Sequence, residues 1–288
     1  MTALAPPVRA AGAGGDGLLG LRVRCDPAGR TVLLERRQRF PLRTTMPFYL
    51  DAQAPDMAFI YVQNPTGGVF AGDHLELDVI ADAGARLHLT TQSATKLYRS
   101  EGAEAHQLAR FTLAPGAYVE HIPDALIPQR GSRYRQRVVV DLDETATFIA
   151  AETIAPGRSA FGERFAYELL DLSTEIRCGG RELLAERLRF EPSRARPDRF
   201  GALGRSDYLV TMMAIAPARD ADIVLRALER TLADEPHLEA AAGEAPHGAG
   251  VIVRLLASSA PQAMRGLRII WGALRLSLID LPLPVIRK

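Results

Sequence analysis

Three short glycine-bearing or polar segments carry the side chains most able to hold or pass on a charge. The first, Asn64-Pro65-Thr66-Gly67-Gly68-Val69-Phe70-Ala71-Gly72-Asp73, sets three glycines within six residues and closes on an aspartate. Glycine at that density calls for unusual backbone angles or for close approach by another group. No lysine follows the last glycine, and a strand-like run comes next. The segment therefore lacks both the lysine and the helix N-terminus of a phosphate-cradling loop. Asp73 reads as a solvated cap, a buried charge or a ligand for a passing cation, with the structural roles leading. The second segment, Thr90-Thr91-Gln92-Ser93-Ala94-Thr95-Lys96-Leu97-Tyr98-Arg99-Ser100, is small and polar. It either lines a groove or internal channel with hydroxyls and amides or forms a hydrogen-bonded surface loop, the commoner arrangement. The third, Gly157-Arg158-Ser159-Ala160-Phe161-Gly162-Glu163-Arg164-Phe165, flanks Glu163 with arginines, as expected of an ion pair that holds a bend.

Only Lys96 and Lys288 among the 35 basic residues are lysine. Coding bias toward arginine is the plain explanation. The sharper one is that position 96 needs a compact ammonium where a planar guanidinium will not fit. The six histidines (His74, His88, His106, His121, His237 and His247) form no tight His-x-His or His-x₃-His spacing, which argues against a closed zinc-type site. Transient oxygen contacts to a cation are a weaker demand. There is no Gly-x-Ser-x-Gly elbow and no His-Glu-x-x-His. Cys25 and Cys178 are too few for a disulfide framework and have no metal-type spacing. Arg130-Gly131-Ser132-Arg133-Tyr134-Arg135-Gln136-Arg137 is a basic run, but a net charge of +1 leaves no long-range field for nucleic acid or an anionic membrane. A polar strand edge or a partner surface is the expectation there.

These segments must be positioned by strands. From about residue 18 to 190 the pattern is period-two alternation, clearest at His74-Leu75-Glu76-Leu77-Asp78-Val79. A strand–turn–strand unit recurs three times. Its return strands open at Ala85, Ala117 and Ala146, 32 and then 29 residues apart. Glu152 leaves the third copy about where Gln92 and Pro123 leave theirs. Such a repeat suits stacked β-coils, each burying its apolar face on the next; a meander of hairpins would give the same pattern. Residues 1–17, rich in Ala, Gly and Pro, read as a disordered tail.

After residue 200 the texture changes, with a strand over Asp207–Ile215 and an amphipathic helix over Ala221–Leu232. Residues 234–249 read as a loop and Gly250–Ala257 as a buried strand. A final helix starts near Ser258-Ser259, with Pro261 in its first turn. Met264, Leu267, Trp271, Leu274 and Leu278 form its apolar stripe, and Arg265, Arg268 and Arg275 lie beside it. A composition 47% hydrophobic and 24% charged fits a globular protein, and no run reaches the ~20 apolar residues of a membrane span. With no secretory leader pattern at the start, a cytoplasmic protein is expected.

Taken in order, Gly67–Asp73, Thr90–Ser100, Ile122-Pro123-Asp124-Ala125-Leu126-Ile127-Pro128, Gly157–Glu163 and Leu267-Arg268-Ile269-Ile270-Trp271-Gly272-Ala273-Leu274-Arg275 resemble the urease accessory protein UreD (UreH) family. The family pattern often has Gly where Ala71 stands and closes on a Pro-Arg-Ile-Trp-like tail, of which Leu283–Lys288 keeps a trace. The resemblance implies a mainly β fold of helically stacked, solenoid-like sheets with about two α-helices in the C-terminal portion. It implies one UreD-like domain over 18–288, with stacked sheets over 18–200 and an α/β part over 201–288. It further implies no catalysis and no permanently bound cofactor. The implied partners are UreF, the GTPase UreG through UreF, and the urease apoprotein, with Ni²⁺ in transit through an internal channel. On that view Asp73, Glu152 and Glu163 are path or interface carboxylates, supported by Lys96 and Tyr98. A β-solenoid enzyme acting on acidic polysaccharide is the alternative.

Overall fold

In the computed structural model, which describes residues 15–286, the alternating segments form two facing sheets. Each coil contributes one strand to each sheet. His74–Ala81, Ala105–Leu113, Arg133–Leu142 and Leu169–Cys178 lie side by side in parallel in a seven-stranded sheet. Arg86–Thr91, Tyr118–His121 and Thr147–Ile154 do the same in a ten-stranded sheet. The stacked-coil reading therefore holds over the meander, because the two strands of each unit part into different sheets.

Register follows the repeat. Leu87, Val119 and Phe148 stack on successive coils, as do Val79, Phe111, Val140 and Ile176, and all seven are buried. Alternation places these side chains between the sheets, which is what fixes the register against a one-residue slip. Antiparallel hairpin partners, Thr31–Arg39 and Arg181–Phe190, close the two ends of the seven-stranded sheet.

The C-terminal strands Tyr208–Ile215, Gly250–Ala257 and Glu239–Glu244 extend the second sheet in antiparallel fashion. Helices α1 (Ala221–Ala233) and α2 (Ala260–Ile279) cover the outer face of that sheet. A second core forms there from Phe59, Ile149, Val210, Met212, Leu267, Ile270, Trp271 and Leu274. Ser259 caps α2, its hydroxyl accepting from the Gln262 N–H, and Pro261 sits in the first turn as expected. No helix among the described residues is long and apolar enough to cross a membrane.

Four expectations need correction. The disordered tail was drawn to residue 17, but a strand starts at Asp16, held in register on His74–Ala81; residues 1–14 lie outside the described residues. The supposed loop 234–249 contains the edge strand Glu239–Glu244, whose small alanines gave no periodic signal yet pair with Gly250–Ala257. Met264 is 40% exposed, whereas Arg275, placed beside the stripe, is fully buried. The basic run is no strand edge: Arg133–Leu142 lies inside the seven-stranded sheet, flanked on both sides. Its outward arginines are tied to carboxylates, Arg133 and Arg135 to Glu104 and Arg137 to Glu175.

Candidate functional site

Between the two sheets lies a cavity of about 80 Å³ lined by Thr91, Pro123, Glu152, Glu186 and Thr211 among others. A sandwich interior is ordinarily apolar, so a polar lining needs a cause. Gln107, Gln136 and Thr174 come from the inward rows of the seven-stranded sheet, and Thr91, His121 and Glu152 from the facing sheet. Parallel register brings Thr91, rather than Gln92, level with Pro123 and Glu152. Gln92 lies instead in an adjoining cavity of about 90 Å³ with Gly67, Gly68, Ser93 and Thr95. Val62, Leu77, Thr91, Thr95 and Gln107 line both, so the two spaces are neighbours. The second polar segment thus borders this space through Thr91 and Thr95, while Gln92, Ser93 and Lys96 are exposed at the surface.

The electrostatics of the cavity are unusual. Burial, helped by the nearby Glu186 charge, pushes the Glu152 carboxyl up to about 8, while Gln136 Nε2 donates to its Oε1 at 2.8 Å. Burial likewise pushes the His121 imidazole down to about 4, aided by His88, so that ring is neutral at pH 7. Glu186 receives Arg254 on Oε1 at 2.6 Å, but its Oε2 is buried with no hydrogen-bond partner. Orphaned buried oxygens are rare and call for an explanation. Among the described residues no three His, Cys, Asp or Glu side chains gather into a ready metal cage.

Asp73, Glu163, Lys96 and Tyr98 are not in this lining. They hold the loops at one end of the coils together. Asp73 is buried and accepts from the Gly15 and Phe70 N–H groups at 2.7 and 2.8 Å. Tyr98 stacks on Phe70 with ring centroids 4.6 Å apart. Gly68 has no room for a side chain: a Cβ would stand 2.5 Å from the Lys96 carbonyl and 2.6 Å from the Tyr98 ring. Lys96 is exposed, and it is its carbonyl, receiving the Val69 N–H at 2.8 Å, that ties down the glycine-rich loop. Glu163 takes a two-pronged bond from Arg158 and the Arg130 N–H, as the ion-pair reading expected. The Arg158 hydrogen bond, outweighing burial, holds its carboxyl below the ordinary range.

A model of the UreD urease accessory protein family matches residues 15–288. The chain belongs to that family. A urease accessory protein UreD of Mycolicibacterium gilvum is 37% identical over 263 residues, covering 91% of this chain and 95% of the relative. One from Actinomyces naeslundii is 38% identical over 240 residues, covering 83% and 86%. Another, from Cenarchaeum symbiosum, is 31% identical over 262 residues, covering 90% and 91%. In this UreD-family chain the first four of the motifs that carry the resemblance meet in space. Gly68 abuts Tyr98, Ile127 pairs with Lys96, and Gly157 abuts the Pro128 carbonyl.

Sequence reasoning missed a second polar centre, on the helix side of the ten-stranded sheet. Arg275 of α2 donates through Nη1 to Glu120 Oε1 at 2.9 Å, bonds Asp51 through Nη2, and donates through Nε to the Pro282 carbonyl at 3.0 Å. Glu120 also accepts from the Tyr118 hydroxyl and meets His88 Nδ1 at 2.8 Å. His88 is sandwiched between Phe59 and Trp271, at 4.9 and 5.1 Å between centroids. Burial pushes the Glu120 carboxyl up, but the His88 hydrogen bond and the His88 and Arg275 charges outweigh it, leaving a net downward shift. Alternation gave a signal: Glu120 falls on the same row as Tyr118, the face that α2 covers.

Proposed function

We propose that this chain is a urease maturation factor that acts in the cytoplasm as a non-catalytic scaffold. It binds UreF, and through it the GTPase UreG, docks on the urease apoprotein, and lets Ni²⁺ pass between its sheets toward the urease active site. Family membership supports the maturation role. The observation that carries the nickel path is the orphaned oxygen Glu186 Oε2 in a partly polar interior beside Glu152. A cation in transit wants several weak oxygen contacts, because a closed cage of good donors would trap it. Glu152, neutral until a cation displaces its proton, and a neutral His121 fit that demand. On this reading Glu152 and Glu186 are path carboxylates. Asp73, Glu163, Lys96 and Tyr98 shape the loop end as an entrance or partner interface.

The test is co-expression of the chain with urease subunits, UreF and UreG. Glu152→Gln, Glu186→Gln and the double variant should still be pulled down in the complex, while urease nickel content and activity fall, most in the double. Full activation by the double variant would sink the nickel path. Failure of the wild-type chain to join the complex would sink the scaffold.

A further inference from the structure

One pair of metal-ligating side chains lies outside the cavity. His74 opens the strand His74–Ala81 and His106 lies at the start of Ala105–Leu113; they are 32 positions apart in sequence but are direct partners in the parallel register. Their rings stack face to face with centroids 4.9 Å apart and planes 15° apart. Both are only partly buried and line an open groove of about 640 Å³ on the outer face of the seven-stranded sheet. Asp16 stands level with His74 on the adjoining strand, and Glu76 lies two residues along on the same face. The next residue across the row is Arg135, whose guanidinium is already held by Glu104 and Asp171, so its charge is offset.

We propose that His74 and His106 form a two-imidazole site for a divalent transition-metal cation of the nickel or zinc class, completed by water. Imidazole is a good donor for such ions and a poor one for Mg²⁺ or Ca²⁺, which take oxygen. Metal–nitrogen bonds near 2.0–2.1 Å put two nitrogens sharing one ion about 3 to 4 Å apart. Stacked rings one strand apart reach that separation by rotation about Cβ–Cγ, a torsion with broad wells in histidine. The parallel strands fix the two Cα atoms, so little further ordering is needed to bind. The carboxylates in the groove add attraction without supplying a trap. Neither histidine lines the interior cavity, although Gln107, Gln136, Thr174 and Glu186 border both spaces.

The experiment is equilibrium dialysis of the full chain, purified without a histidine tag, against Ni²⁺ at pH 7.5, with and without excess Mg²⁺. His74→Ala and His106→Ala should each lose one bound Ni²⁺ that Mg²⁺ does not displace, and the double variant should lose no more than either single. His74→Gln and His106→Gln, which keep bulk and polarity, should lose the same ion with unchanged melting temperature, separating ligation from folding. The Glu152→Gln protein should keep this ion, because Glu152 lines the interior cavity and not the groove, so failure here and failure of the interior path are distinguishable. Single variants that retain the full complement at unchanged affinity would overturn the site, as would losses that add in the double.

Discussion

Replacing Arg275 by methionine tests whether the buried polar centre under α2 holds the helix on the sheet. Arg275 and Glu120 are both fully buried and Asp51 nearly so. Methionine preserves most of the volume but leaves Asp51 without its cation and Glu120 with only His88. Removing one partner of a buried pair destabilises by about 3–5 kcal/mol, because an uncompensated charge stays in low dielectric. The Pro282 carbonyl also loses its donor. At roughly 2–4 °C per kcal/mol for a domain approaching this size, the melting temperature should fall by roughly 6 to 20 °C. Circular dichroism melts of wild-type, Arg275→Met and Asp51→Asn/Glu120→Gln/Arg275→Met proteins would measure it. Neutralising both carboxylates should recover part of the loss, since the cost lies in stranded charge rather than lost attraction. A single variant that melts within about 2 °C of wild type, or a triple variant no better than the single, would refute this account.

Further outcomes follow from the same geometry. Gly157→Ala puts a Cβ 2.2 Å from the Glu163 carbonyl at a φ of 123°, so it should destabilise by at least the ~1–3 kcal/mol typical of overpacking and unseat the Arg158–Glu163 bend, read as a lower urea midpoint. Glu152 has a folded-state value near 8 against an ordinary 4.5, so the folded protein binds more protons between those limits and its stability falls as pH rises through them. Glu152→Gln should flatten that fall, with each tenfold difference in proton affinity worth up to about 1.4 kcal/mol before screening by water in the cavity; urea unfolding at pH 6 and pH 8.5 reads it. Ser259→Ala removes the cap of α2 and should lower stability by about 1 kcal/mol, with parallel strands unaffected in hydrogen exchange.

The sequence by itself determined the coils, because alternation and a turn every 29 to 32 residues are local properties, and the register of Ala85, Ala117 and Ala146 follows from them. It also determined the order of the family motifs, the amphipathic helix α1 and the start of α2 at Ser259 and Pro261. It did not determine which inward polar residues would face one another across the sheets. Glu152 was a candidate from its place in the repeat, but Glu186 lies on a hairpin strand outside the repeat, and only sheet-on-sheet packing brings the two to one cavity. Arg275 was a neighbour of an apolar stripe until Glu120 and Asp51, 155 and 224 residues away, closed over it. His74 and His106 showed no metal spacing along the chain, yet parallel pairing makes them neighbours. The division is physical: periodicity reports what each residue does within its own strand or helix. Burial of a charge and the meeting of two side chains depend on which surface lands on which, and that is decided when sheets and helix pack.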